Sequence, residues 1–118
     1  MIELDADPSL RAAATAALAA AGVDDGHLSI SRVDAGRMQE LNREHRGIDR
    51  PTDVLSFPVD GREPVAGPRE LGDVVVCPEH TTDVTEAVVH GVLHLCGYDH
   101  EIDDGEMLEL QDRILASL

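Results

Sequence analysis

Lysine and tryptophan are absent from this chain, and its aromatic complement is one phenylalanine, Phe57, and one tyrosine, Tyr98. Every fixed positive side-chain charge is therefore a guanidinium. No apolar run approaches the roughly 20 residues of a membrane span, and the alanine-rich stretch from Ala12 to Ala21 is short and interrupted by Thr15. The N-terminus lacks the basic region and apolar core of a secretion signal, so a cytoplasmic protein with no membrane partner is expected. Cysteine is scarce as well. Cys77 and Cys96 fit no C-x-x-C pattern and are expected to stay thiols. The 118 residues allow one domain, 1–118, with a modest core.

A formal net charge of −15 argues at first sight against any contact with nucleic acid. Its distribution changes that reading. Residues 32–69 hold seven of the nine arginines (Arg32, Arg37, Arg43, Arg46, Arg50, Arg62 and Arg69) and seven acids, so this segment is neutral. The other residues carry 17 acids against Arg11 and Arg113. Such a body repels polyanions except where a local basic lip admits them.

What is present in force is histidine, concentrated in the stretch HGVLHLCGYDH from His90 to His100. His90 and His94 are four apart and share one face of a helix. Gly97 tolerates the left-handed turn that would end that helix, and His100 follows just beyond it. Three neutral imidazoles from a helix and its turn form a tripod with an open fourth position, the layout of a catalytic zinc site. Cys96 lies about 200° round the helix from His94 and should face away. The spacing also matches the H-x-x-x-H-x-x-G-x-x-H pattern of metzincin proteases. Those enzymes carry their glutamate base directly after the first histidine, where this chain has Gly91.

Along the chain, Ile2–Leu4 reads as a strand. Asp7-Pro8 caps a helix that runs to Ala21 and stops at Gly22. Leu28, Ile30 and Arg32 alternate with Ser29 and Ser31 as in a half-buried strand. Asp34 caps a second helix ending near His45, with Met38 and Leu41 inward and Gly47 as breaker. Asp53 to Phe57 is a strand closed by Pro58, and an exposed, mobile loop from Gly61 to Pro68 leads to a buried strand at Val74, Val75 and Val76. Thr81 or Thr82 is expected to cap the histidine helix. A final helix from Asp103 or Asp104, with Glu106 near its positive end, should bury Met107, Leu110, Ile114 and Leu118. This alternation predicts an α/β (α+β) fold with a small mixed sheet of about four strands.

Leu41-Asn42, the run from Arg46 to Pro58 (RGIDRPTDVLSFP), Leu71-Gly72-Asp73 and the His90–His100 stretch together resemble the YbeY family. Its members are bacterial metal-dependent endoribonucleases, also described as rRNA maturation factors. The resemblance covers residues 41–113 in register. It implies cleavage of single-stranded RNA, 3′-end maturation of 16S rRNA, ribosome quality control, and one zinc ion held by His90, His94 and His100. The family's important arginine falls on Arg46. Small ribosomal-subunit proteins are further expected partners. Two departures stand out. The link from the Val74–Cys77 strand to His90 is shorter than in the family, implying a truncated helix over the sheet, and His45 replaces a commonly aromatic position.

An ion held by neutral imidazoles keeps its full charge to act on water or phosphate. Arg46 is the candidate for the charge that develops on phosphorus, since a guanidinium stays cationic and donates two parallel hydrogen bonds. Asp99, beside His100, is placed to orient an imidazole, relay a proton or cap the turn. Asp53 and Asp73, at strand starts, read as supports behind the ligands or as turn residues. Tyr98 reads as a base-stacking ring or as packing for the helix. Two other classes compete: a metal-stabilised ribosome assembly factor that cleaves nothing, and a minimal metalloprotease or amidohydrolase, against which Gly91 speaks.

Overall fold

Two local signals set the first half of the chain. The computed structural model describes residues 2–60, 66–99 and 101–118. In it Asp7 accepts from the Ser9 amide at 2.9 Å, and Pro8 begins helix α1 (Pro8–Ala20), where a missing N–H costs nothing. The Ser9 hydroxyl and amide and the Arg32 guanidinium hold the Asp7 carboxyl down to a pKa of about 2. Arg32 is thus spent on an internal ion pair at 2.9 Å. Asp34 accepts from the Arg37 amide at 2.8 Å to start α2 (Ala35–Arg46), and Gly47, at φ 73°, ends it.

The strands are β1 (Ile2–Asp5), β2 (Gly26–Arg32), β3 (Val54–Pro58) and β4 (Glu70–Val76). Their order in the sheet is β1-β2-β4-β3, with β1, β2 and β4 parallel and β3 antiparallel along the edge of β4. This is the four-stranded mixed sheet the alternating pattern predicts. Helices α3 (Val84–Leu95) and α4 (Glu106–Ser117) join α1 on one face. There Leu28, Val74 and Val76 pack with Leu10, Val88, Val92, Leu93 and Met107. Each such side chain contributes about 1.5–3 kcal/mol on leaving water. Helix α2 covers the other face, where Met38 meets Leu55, Val75 and Cys77. Val74–Val76 is therefore buried from both sides, as its unbroken apolar run requires.

Several boundaries depart from the sequence reading. Neither Thr81 nor Thr82 caps α3. Asp83 does, accepting from the Glu86 amide at 3.2 Å. Thr81 is engaged elsewhere, its hydroxyl donating to the Cys77 carbonyl at 2.6 Å across a single 3-10 turn, Pro78–His80. That turn is all that links β4 to α3. Helix α4 begins at Glu106 rather than at Asp103 or Asp104, because Gly105 sits at φ 100° before it. Asp103 still serves the helix end, accepting from the amides of Gly105 and Met107. Leu118 is exposed and Leu110 only half-buried. The buried face of α4 is Met107, Gln111 and Ile114. Asp73 lies in the middle of β4, exposed, not at a strand start. Of the Gly61–Pro68 loop, residues 61–65 lie outside the described residues, and 66–68 are exposed.

Candidate metal centre and cleft

Helix α3 presents His90 and His94 one turn apart, each half-buried, with ring centroids 4.6 Å apart and planes at 80°. Their Nε2 atoms face each other at 3.1 Å. Each Nδ1 meets an oxygen on the opposite side: Gln111 Oε1 at 2.8 Å for His90 and the Tyr98 carbonyl at 3.0 Å for His94. A carbonyl oxygen can only accept, so both Nδ1 atoms carry the hydrogen and both Nε2 atoms present lone pairs. Two lone pairs aimed at one point repel unless a proton or a metal ion lies between them. Nitrogens bound at 2.0–2.1 Å with tetrahedral angles stand about 3.3 Å apart, close to the observed separation. The two histidines fit a divalent ion. His100, the third ligand of the sequence reading, lies outside the described residues.

The helix end explains how His94 acquires its partner. Gly97, at φ 95°, lets the Tyr98 amide donate to the Leu93 carbonyl and the Gly97 amide to the His94 carbonyl, both at 3.1 Å. This paired-bond cap turns the chain back sharply enough to bring the Tyr98 carbonyl under its own helix. The Tyr98 ring is half-buried and packs against the core that includes α3.

Gly91 has a second reason to be glycine. A Cβ there would come within 2.7 Å of Val74 Cγ1, 3.1 Å of Val54 Cγ2 and 3.3 Å of Ser56 Oγ. Position 91 faces the sheet, and the Ser56 hydroxyl donates to the Gly91 carbonyl at 2.8 Å to hold helix and strand together. A glutamate at 91 would point into β3 and β4, so the metzincin base has no room on this scaffold. Gly91→Ala should lower stability by about 1–3 kcal/mol through overpacking. Urea unfolding of the variant with an unchanged midpoint would show that α3 can back away from the sheet at no cost.

In front of the histidines lies a cleft of about 600 Å³. Its walls bring together Arg46 and His45 from the end of α2, Thr52 and Asp53 ahead of β3, and Tyr98 and Asp99 beyond α3. Arg46 makes no ion pair among the described residues. Arg32, Arg37 and Arg43, by contrast, are engaged by Asp7, Glu40 and Asp49. The basic lip thus comes down to few guanidinia, Arg46 foremost. His45 is exposed, with its ring 4.4 Å from that of Phe57. Asp99 Oδ1 accepts from the Glu101 amide at 3.0 Å, so its carboxylate shapes the turn. Asp53 Oδ1 takes the Val54 amide at 2.8 Å, and its carbonyl takes the Cys77 amide at 2.8 Å. Asp73 does not line the cleft. Cys77 and Cys96 are buried and form no disulfide.

The residue that sequence reasoning missed is Gln111. It is 6% exposed on the apolar face of α4, and it alone among that face's buried residues is polar. A polar side chain at the inward spacing between Met107 and Ile114 was the available signal, because a buried amide requires a partner.

Comparison with known proteins gives the family. Residues 4–118 match the family described as endoribonuclease YbeY. The endoribonuclease YbeY of Azorhizobium caulinodans is 46% identical over 124 aligned positions, covering 91% of this chain and 78% of its own. That of Salinispora tropica is 42% identical over 140 positions, covering 98% and 88%. Since 140 positions exceed the 118 residues here, that relative carries residues with no counterpart in this chain. The solution structure of a Thermotoga maritima protein superimposes with a TM-score of 0.55 at 32% identity, covering 98% of this chain and 87% of that one. With a match from residue 4 to residue 118 and such relatives over most of both chains, this chain belongs to the endoribonuclease YbeY family.

Proposed function

We propose that this protein is a zinc-dependent endoribonuclease that cuts single-stranded RNA, with the 3′ end of 16S rRNA as substrate, in ribosome maturation and quality control. A cytoplasmic site of action and contact with small-subunit proteins go with that substrate. The observation that carries the reading is the pair of Nε2 lone pairs 3.1 Å apart at the floor of a cleft whose rim holds an arginine without an ion pair among the described residues. Family membership supplies the reaction class.

His90, His94 and His100 would hold one ion. Bound there, the ion would supply Lewis acidity toward water or a phosphate oxygen. The chain's own residues do the remainder. Gln111 and the Tyr98 carbonyl hold the imidazoles in the ligating tautomer. Arg46 can donate two parallel hydrogen bonds to phosphate oxygens entering the cleft. The acidic body repels RNA that does not enter there. Asp99, a proton relay toward His100 in this reading, has one carboxylate oxygen already bonded to the Glu101 amide.

The test is elemental analysis of the purified protein, paired with cleavage of single-stranded RNA before and after chelation at pH 7. About one zinc per chain and cleavage lost on chelation are expected. Chelation should also lower the melting temperature, because an ion that binds only the folded state stabilises it by about 4 kcal/mol at a thousand times its Kd. RNA binding without cleavage by the metal-loaded protein would identify an assembly factor instead.

A further inference from the structure

Gln111 occupies a position that packing alone does not explain. Its neighbours in sequence on the same face of α4, Met107 and Ile114, are apolar and buried. Gln111 is itself 6% exposed, and its Oε1 stands 2.8 Å from His90 Nδ1. The two residues belong to different helices, 21 positions apart. Burying an amide in place of a leucine costs stability unless its hydrogen bonds are made. The one made here goes to a ring whose other nitrogen faces His94.

The two imidazoles are steadied in different ways. His94 leans on the Tyr98 main-chain carbonyl, which no substitution removes. His90 depends on a side chain. With an acceptor at Nδ1, His90 keeps its lone pair on Nε2. Without one, either tautomer is open and the ring is free to turn about its own bond. An amide also accepts without bringing a negative charge, so the charge of any ion at Nε2 is left undiminished, whereas a carboxylate would offset part of it.

We infer that Gln111 is a positioning residue for His90: it fixes the tautomer and orientation in which His90 can ligate a metal, and so sets the affinity of the site. This rests on the metal reading above. A purely structural role for Gln111 would make different demands. Behind the His90–Gln111 pair lies a second cavity of about 300 Å³, lined also by His80, Asp83, Glu86 and Leu108, so an unbranched apolar side chain at 111 has room.

The experiment measures zinc affinity by competition with a chromophoric chelator, alongside the melting temperature of the metal-free protein, for the wild type, Gln111→Met and Gln111→Glu. Gln111→Met should bind zinc 10- to 100-fold more weakly while its metal-free melting temperature stays the same or rises. Gln111→Glu, which restores the acceptor, should bind at least as tightly as the wild type. Equal affinity in Gln111→Met overturns the assignment, as does a loss of affinity that Gln111→Glu fails to rescue. A lower metal-free melting temperature with unchanged affinity assigns Gln111 to packing alone. A wild-type protein that binds no zinc overturns the metal reading itself, an outcome distinct from the others.

Discussion

His94→Ala is expected to abolish metal binding and with it RNA cleavage. Its Nε2 faces that of His90 at 3.1 Å, and its Nδ1 is held by the Tyr98 carbonyl. Alanine leaves one imidazole on the helix, and the proposed three-ligand site, cut to two, would lose most of its affinity. Zinc content of the purified variant should fall from about one per chain to background. Cleavage should fall to that of the chelated wild type. The metal-free melting temperature should change little, since His94 is only half-buried. Full zinc occupancy in this variant would remove His94 from the site, and the closeness of the two Nε2 atoms would then need another cation.

The second large effect concerns Arg46, and it separates catalysis from binding. Arg46 is the last residue of α2 and lines the same cleft as His90 and His94. Arg43, one turn earlier, is engaged by Asp49 at 3.7 Å, so it is the less available guanidinium. A phosphate under attack gains charge on its equatorial oxygens, and a donor aimed there stabilises the transition state more than the ground state. Arg46→Ala should keep its zinc and cut the single-turnover cleavage rate by about a hundredfold or more, with a smaller loss of RNA affinity. Arg46→Lys restores charge without the fork and should recover only part of the rate. Normal cleavage by Arg46→Ala would end its catalytic role. Equal losses in rate and affinity would reduce it to a substrate clamp and turn attention to Arg50.

What the sequence made legible was whatever is decided locally. Asp7-Pro8, Asp34 and Gly47 mark helix ends because a cap needs only a side-chain acceptor or a positive φ within a few residues. The i, i+4 histidines and Gly97 declared one face and its turn for the same reason. Four things were not decided locally. Thr81, Thr82 and Asp83 are three good caps in a row, and the cap is Asp83, while Thr81 is occupied by the Cys77 carbonyl four residues back and the Asp53 carbonyl ahead of β3. Leu118 looked like core by spacing, yet it falls past the end of α4, where none of the described residues buries it. Gln111 looked like an interruption of an apolar face, because its partner is 21 residues away on another helix. Asp73 was misplaced for a related reason. Its strand starts at Glu70, ahead of the valine run that announced it.

The bond between His90 and Gln111 has a thermodynamic side. On the proposed metal site, docking of α4 and loading of the two Nε2 atoms would share one hydrogen bond, so each equilibrium would bias the other by the same factor. An ion at the site would tighten the attachment of α4 and slow its local opening. Any agent that lifts α4 from α3 would loosen the ion equally, about 1.4 kcal/mol for each tenfold change in affinity. Helix α4 never touches RNA in this scheme, yet anything that strengthens or weakens its packing on α3 would act on the site through that one bond.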